Sequence, residues 1–352
     1  MSQVQAMMMG GGGAEGMQMN RAQMVKMLLQ AMGVNVGAGD DDDEEEEGGL
    51  PAAGGAGPNL AGLVNGGDPL VHIAQTAEQA AALPGAPPLM DACVKGDLGR
   101  ARELLDAGAD ANAEHGGVTP LVAALASRRC EPELVALLLA RGASPMQVTT
   151  MGYPLSMAAM HGRPDAAKQL VDAGAAVDVR NIGEGWTPLY LACEQGHMSV
   201  VRLLLDAGAN PSLPVHNGAT PLYVASRTGR LEVVDLLLRK GARDIVPPDG
   251  WTALHAASRA GHLEVVRRLV EAKFSVSAVA RGGMTPLHAA MMEDQGEVFE
   301  ELLKHGASAT RRIEQGLVPR MMAEQENLTR VLDVMERYMY TDPSGDMEAA
   351  AN

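Results

Sequence analysis

Cysteine and aromatic residues are scarce in this chain of 352 residues, which holds three Cys, two Trp, five Tyr and two Phe. Cys93, Cys130 and Cys193 form no C-x-x-C pair. Their spacing suggests neither a disulfide framework nor a structural zinc site, and it fits a reducing compartment. Long apolar runs are also missing, since none approaches the roughly 18 residues that a membrane-spanning helix needs. We therefore expect no membrane partner.

Targeting signals are absent from the first residues of the sequence. The N-terminal stretch lacks the basic region and apolar core of a signal peptide and the arginines of a transit peptide. Ser2 stands where myristoylation requires glycine. These observations predict a soluble protein of the cytoplasm, the nucleus or both.

Positive charge is in deficit, because the formal net charge is −16. The acidic run Asp40–Glu47 carries half of this charge. Phosphate backbones would be repelled, so we expect no nucleic-acid partner, whereas a basic protein partner is acceptable. The run itself has two interpretations, a solvated spacer or an electrostatic clamp for a basic partner.

The N-terminal region is rich in Gly, Met, Ala and acidic residues. Residues 1–57 contain no aromatic residue, so we expect a disordered tail that cannot bury enough apolar surface to fold. Between Asn20 and Gly33, Met and Leu recur at helical spacing, which indicates either a nascent helix or a Met-rich helix that orders in a partner's groove. In residues 58–84, a helix from Asp68 to Leu83 is predicted to cover the end of the following array.

The stretch Gly185–Asn210 contains the start and stop signals of two helices. Thr187 can cap a first helix, and Pro188 suits its first position because no N–H is needed there. Gly196 ends this helix, and a second apolar helix is predicted to begin at about Ser199. Such a hairpin cannot bury its apolar face alone, so it should recur.

The same signals recur along the chain at steps of 32 to 34 residues. The motif T-P-L-H is complete at Thr285–His288, and T-A-L-H stands at Thr252–His255. This period and motif closely resemble the ankyrin repeat. The leucine of the motif falls at Leu89, Leu121, Leu155, Leu189, Leu222, Leu254 and Leu287.

The resemblance implies an all-α fold, an ankyrin-repeat α-solenoid of stacked helix-turn-helix units joined by β-hairpin-like loops. We expect seven repeats and a degenerate C-terminal capping repeat within residues 85–340, followed by a disordered tail at 341–352. In the third repeat Tyr153 replaces the capping threonine. Local opening is therefore expected to begin in the second and third repeats.

The nine histidines suggest catalysis or metal binding, but their positions repeat. By resemblance, His255 and His288 bond to neighbouring backbone, and His197 and His262 lie in turns between helices. The usual motifs of zinc proteases, serine hydrolases and P-loop proteins are missing. We predict no enzyme, no cofactor, no metal site and no catalytic residue.

Tyr and Trp cluster in the loop-to-first-helix part of the repeats, which in the ankyrin family lines the concave groove. Because Trp and Tyr are enriched in binding hot spots, we predict a shelf with two tryptophans on either side of a small Ala219 notch and arginines on its basic side. The predicted partner-binding residues are Trp186, Tyr190, Ala219, Tyr223, Arg227, Trp251, Arg259 and Met284. A structural role for Tyr190 and Tyr223 is the alternative.

Two functions follow from this interpretation. The first is a monomeric, non-enzymatic scaffold that binds a protein partner on the concave face. The second is an adaptor that recruits a ubiquitin ligase or a transcription regulator through its N-terminal tail. Separately, Asn112 lies in a register that resembles the motif of the asparaginyl hydroxylase acting on ankyrin domains, which makes it a possible hydroxylation site or an ordinary loop asparagine.

Overall fold

A computed structural model describes residues 79 and 81–341. Within this part of the chain, sixteen α-helices form eight consecutive pairs, which we number as repeats 1 to 8. The pairs are α1 (Pro88–Lys95) and α2 (Leu98–Asp106), α3 (Pro120–Ala126) and α4 (Pro132–Ala140), α5 (Pro154–Met160) and α6 (Pro164–Asp172), α7 (Pro188–Gln195) and α8 (Met198–Asp206), α9 (Pro221–Arg227) and α10 (Leu231–Arg239), α11 (Ala253–Ala260) and α12 (Leu263–Glu271), α13 (Pro286–Met291) and α14 (Gly296–Lys304), and α15 (Pro319–Gln325) and α16 (Thr329–Thr341). The all-α prediction is confirmed.

The first helices of repeat 2 and of repeats 4 to 7 begin at a capping threonine, as the sequence predicts. In repeat 4, Thr187 has an extended backbone, and its hydroxyl accepts a hydrogen bond from the Tyr190 N–H at 3.2 Å. Thr220 does the same for the Tyr223 N–H at 3.1 Å. The cap satisfies one of the free N–H groups of the first turn and fixes the direction from which the loop enters. Tyr153 makes no side-chain cap.

The helices of neighbouring repeats stack in two layers. Each first helix contacts the first helix of the next repeat, and each second helix likewise contacts the next second helix, from repeat 1 to repeat 8. Small side chains such as Ala192 and Ala225 lie fully buried between first helices and let them approach closely. The result is one continuous apolar core along a solenoid in which each repeat packs on its neighbours.

The loops between repeats turn back on themselves and are bonded to one another. Isolated antiparallel bridges join His115 to Val118 and Thr149 to Gly152. Between repeats, the Thr150 N–H donates to the Gly117 carbonyl at 3.0 Å, which ties one loop to the next. The described residues contain no strand, so these loops resemble hairpins only at their tips.

Several predicted regions lie outside the described residues. These are the tail at 1–57, most of the predicted cap at 58–84 and nearly all of the tail at 341–352. Residues 79, 81 and 82 are helical, and the last helix extends to Thr341, the first residue of the predicted tail. Among the described residues, none of the helices is both long enough and apolar enough to cross a membrane.

Candidate partner-binding surface

The two tryptophans lie immediately before the first helices of repeats 4 and 6, but they differ in exposure. Trp186 is half-buried and packs against the core, and its carbonyl accepts a hydrogen bond from the Asn181 N–H at 3.0 Å. Trp251 is only 8% exposed, and its ring lies 5.3 Å from the His255 ring, centroid to centroid. Trp186 therefore offers more surface to a partner than Trp251.

The imidazole behind Trp251 is part of the architecture. The Nδ1 atom of His255 accepts a hydrogen bond from the Thr252 N–H at 3.3 Å, and its Nε2 lies 3.2 Å from the carbonyl oxygen of Met284 in the next repeat. The neutral tautomer with hydrogen on Nε2 satisfies both contacts. Burial lowers the pKa of His255 to about 4. The structural interpretation of this histidine is confirmed.

Tyr190 and Tyr223 occupy the position of His255 in repeats 4 and 5. Tyr190 is buried, whereas Tyr223 is half-buried and packs on the core from one side. Burial raises the pKa of both phenols, most strongly for Tyr190. For Tyr223 the Arg227 guanidinium opposes this rise in pKa. Of these two tyrosines, only Tyr223 is partly accessible to solvent.

A carboxylate and a guanidinium meet at the end of these first helices. Arg227 Nη2 lies 2.6 Å from Glu194 Oε1, and the Glu194 side chain is only 16% exposed. Burial raises the pKa of Glu194, while the charge of Arg227 and its hydrogen bond lower it. In repeat 6, Arg259 lies 3.5 Å from Glu293. The expected basic side of the notch is therefore offset by two ion pairs.

The remaining shelf residues lie mostly inside the array. Ala219 is 7% exposed, and its carbonyl accepts a hydrogen bond from the Val215 N–H at 2.9 Å. Met284 is 1% exposed. The predicted set thus separates into an accessible group, in which Arg227 is exposed and Trp186, Tyr223 and Arg259 are half-buried, and a buried group, Tyr190, Ala219, Trp251 and Met284.

Comparisons with known proteins agree with this architecture. A family model described as ankyrin repeats (3 copies) matches residues 155–249 and 242–313. Cyclin-dependent kinase 4 inhibitor B of Rattus norvegicus is 35% identical over 119 residues, which cover 33% of this chain and 88% of that protein. The chain belongs to the ankyrin repeat family.

The matches to other ankyrin proteins cover very different shares of those proteins. The ankyrin repeat domain of Bcl-3, a member of the IkappaB family, is 30% identical with a TM-score of 0.54, and the match covers 62% of this chain and 99% of that domain. The ankyrin repeat and KH domain-containing protein mask-1 of Caenorhabditis elegans is 37% identical over 30% of this chain, but the match spans 4% of that protein. A putative ankyrin repeat-containing protein of Treponema pallidum is 39% identical over 31% of this chain, and that match spans 37% of the other protein.

Ion pairs between ankyrin repeats were largely missed by the sequence reasoning. Besides Glu194 with Arg227, pairs join Asp206 with Lys240 at 2.8 Å and Asp235 with Arg268. The partners in each pair are one repeat apart, at separations of 33 or 34 residues. Opposite charges at one repeat spacing are the sequence signal that could have revealed them.

Asn112 lies in the loop between repeats 1 and 2 and is half-buried. Its Nδ2 donates to the Gly142 carbonyl at 2.8 Å, and its Oδ1 accepts from the Ser144 N–H at 2.7 Å. The side-chain amide therefore links two ankyrin repeats. Among the described residues, no group of three His, Cys, Asp or Glu could hold a metal ion.

Proposed function

We propose that this ankyrin repeat protein is a non-enzymatic interaction module that binds a protein partner along the first-helix and loop side of repeats 4 to 6. This is the concave face by resemblance to the family. The centre of the contact is Trp186 with Tyr223 and the Glu194–Arg227 pair. Tyr190, Ala219, Trp251 and Met284 support this surface from beneath.

The exposed part of the surface carries the proposal. Trp186 and Tyr223 each pack on the core by one side and leave the other side accessible, one repeat apart. Arg227 is 48% exposed while it pairs with Glu194, so it keeps donors for a partner. Large aromatic side chains that are held rigidly, together with arginine, are the typical residues of binding hot spots.

The relatives support an interaction role in general terms. Ankyrin repeat proteins bind protein partners, and the kinase inhibitor covered over 88% of its length is named for its action on a protein. This likeness supports a role in which the ankyrin array acts on another protein. The identity of the partner is a question for experiment, because the fold carries no fixed target.

Two variants of the full chain test the surface. Trp186→Ala should weaken capture of the main partner from cell extract by at least ten-fold, since a buried Trp at a hot spot contributes on the order of 2 kcal/mol or more. Lys168→Ala, on the exposed side of α6, is the matched control and should leave capture unchanged. Equal capture by both variants, with melting temperatures unchanged, would place the partner elsewhere.

An adaptor is the second candidate. Ankyrin repeat and SOCS box protein 11 of Homo sapiens is 36% identical over 24% of this chain, and its name joins ankyrin repeats to a second module. Here the N-terminal tail would recruit an effector, a ubiquitin ligase or a transcription regulator. Removal of residues 1–84 separates the candidates, because a scaffold keeps every partner and an adaptor loses one class.

The remaining properties follow from the same proposal. We infer a monomer of the cytoplasm or the nucleus that needs no cofactor. The state of the thiols supports a reducing compartment: Cys93, Cys130 and Cys193 are all free, and burial raises the pKa of each. Imaging of the tagged chain and light scattering of the purified protein test these points.

A further inference from the structure

The turns between the two helices of a repeat form a row of cationic and histidine side chains on one edge of the array. This turn row consists of Arg128 and Arg129 in repeat 2, Arg163 in repeat 3, His197 in repeat 4, Arg230 in repeat 5 and His262 in repeat 6. It stands out in a protein whose net charge is −16.

The turn row is continuous because its members in repeats 3 to 6 each lie against the preceding repeat, at or next to its turn. Arg163 Nη2 donates to the Ser127 carbonyl at 2.9 Å, and His197 Nε2 lies 3.0 Å from the Met160 carbonyl. A Cβ atom placed on Gly196 would come within 2.8 Å of the Arg230 side chain. Neighbouring members therefore sit one repeat apart, about 10 Å if the repeats stack at the spacing of packed helices.

The turn row includes arginines that are open to solvent. Arg128, Arg129 and Arg230 are exposed, and none of the three forms an ion pair within the described part of the chain. Burial lowers the pKa of His197, and the positive charges of Arg230 and Arg163 lower it further. The turns themselves contain one acidic side chain, Glu131, while Glu133, Asp165, Glu232 and Glu264 lie in the first turns of the helices that follow.

We propose that the acidic run of this same chain, residues 40–47, binds to the turn row. Eight consecutive carboxylates meet a row in which Arg128, Arg129 and Arg230 have no ion-pair partner among the described residues. The contact is electrostatic and involves no fixed side-chain pairing. Any acidic partner of the turn row must first displace it.

Chain length permits the contact. Eight residues in extended form span about 27 Å. That length is close to the three repeat steps between Arg128 and Arg230, about 30 Å at the same stacking distance. The segment from residue 47 to residue 81 can bridge at most about 110 Å, which is far more than the array requires. The run can therefore reach every member of the turn row without strain.

Cross-linking in the full chain tests the proposal. A carbodiimide joins a carboxylate to a lysine amine within ion-pair distance, so R128K and R230K each introduce a reporter that keeps the positive charge. R202K, on an exposed position of α8 away from the turns, is the matched control. We expect residues 40–47 to cross-link to positions 128 and 230 at least ten-fold more than to position 202 or to native Lys168. In 0.5 M NaCl this preference should be lost, because the screening length falls to about 4 Å.

Isotope mixing decides whether the contact is within one chain. When unlabelled and ¹⁵N-labelled chains are mixed before reaction, the cross-linked peptides should carry one label only. Mixed labels, or equal yields at positions 128, 202 and 230, would overturn the proposal. It would also be overturned if a free peptide of four Asp and four Glu cross-linked to position 230 while the chain's own run did not, since the row would then serve an acidic partner.

Discussion

The backbone N–H of Ser144 donates a hydrogen bond of 2.7 Å to the side-chain oxygen of Asn112, one repeat away. The same contact recurs further along the array. The Asn210 N–H donates to Asp178 Oδ1 at 3.1 Å, and the Arg243 N–H donates to Ser212 Oγ at 2.9 Å. A polar side chain at this loop position therefore accepts a hydrogen bond from a backbone N–H of the next repeat. Asn, Asp and Ser can each fill the position because each supplies an oxygen acceptor.

Loss of the Asn112 amide should loosen the boundary between repeats 1 and 2. Asn112→Ala removes the acceptor for Ser144 and the donor for Gly142, so we expect the free energy of unfolding to fall by about 1–2 kcal/mol. Asn112→Asp keeps the acceptor and should cost less than Asn112→Ala. Urea denaturation measures both variants. Equal losses for Asp and Ala would show that the Ser144 contact does not outweigh the repulsion between the new carboxylate oxygen and the Gly142 carbonyl.

The same residue remains our proposed hydroxylation site. Hydroxylation on Cβ leaves both ends of the amide in place, so the modified protein should keep the stability of the unmodified one. Mass spectrometry of the chain expressed with the asparaginyl hydroxylase should show an added oxygen, about 16 Da, on the Asn112 peptide and none in Asn112→Ala. An unmodified peptide in the presence of active hydroxylase would contradict the proposal.

The missing cap of repeat 3 can be restored. Tyr153 has the same extended backbone as the capping threonines, but it makes no side-chain hydrogen bond to its helix. Tyr153→Thr should therefore stabilise the protein by about 1 kcal/mol, and Thr187→Ala, the reverse change in repeat 4, should destabilise it by a similar amount. Denaturation gives the totals, and hydrogen exchange should show slower opening of α5 in Tyr153→Thr. A loss of stability in Tyr153→Thr would mean that packing of the tyrosine ring outweighs the cap.

Local signals in the sequence were sufficient for the helices but not for the surface. Thr187 and Pro188 define the start of a helix through contacts within four residues, and the structure confirms that start. Trp251 packs on His255 of its own repeat, and the Met284 carbonyl lies against the same ring from the next repeat. Such packing cannot be read from the place of a residue in the repeat motif. The positive charge of Arg259 is likewise offset by Glu293 in the next repeat. The sequence predicted the positions of these residues along the array but not their exposure.

Acid should weaken the array through its buried histidines. Burial lowers the pKa of both His255 and His288 to about 4 in the folded protein, against an ordinary value near 6.5. Between these values the unfolded chain binds more protons than the folded one, so stability is complete above pH 6.5 and is lost as the pH falls toward 4. The loss is at most on the order of 3 kcal/mol for each histidine. His288→Tyr, which copies Tyr190 and Tyr223, should reduce the slope of unfolding free energy against pH, and an unchanged slope would contradict this.

The last prediction concerns the buried carboxylate of the proposed surface. Burial raises the pKa of Glu194 above its ordinary value, which means that folding favours its protonated form and that stability is lost as the pH rises from the unfolded to the folded pKa. At neutral pH the ionised carboxylate depends on Arg227 to offset its burial. Arg227→Ala should therefore cost about 1 kcal/mol, a value that allows for the half-exposed guanidinium.

The double variant shows whether that cost comes from the stranded charge. Glu194→Gln should have little effect alone, and it should restore most of the lost stability when combined with Arg227→Ala, because a neutral amide needs no cation. Lys168→Ala, which breaks the exposed pair with Asp172, is the control and should change stability by only a few tenths of a kcal/mol. Denaturation of the four proteins in the cycle gives the coupling free energy. If the two losses simply add, Arg227 contributes through packing rather than through its charge, and the pair is not what shapes this surface.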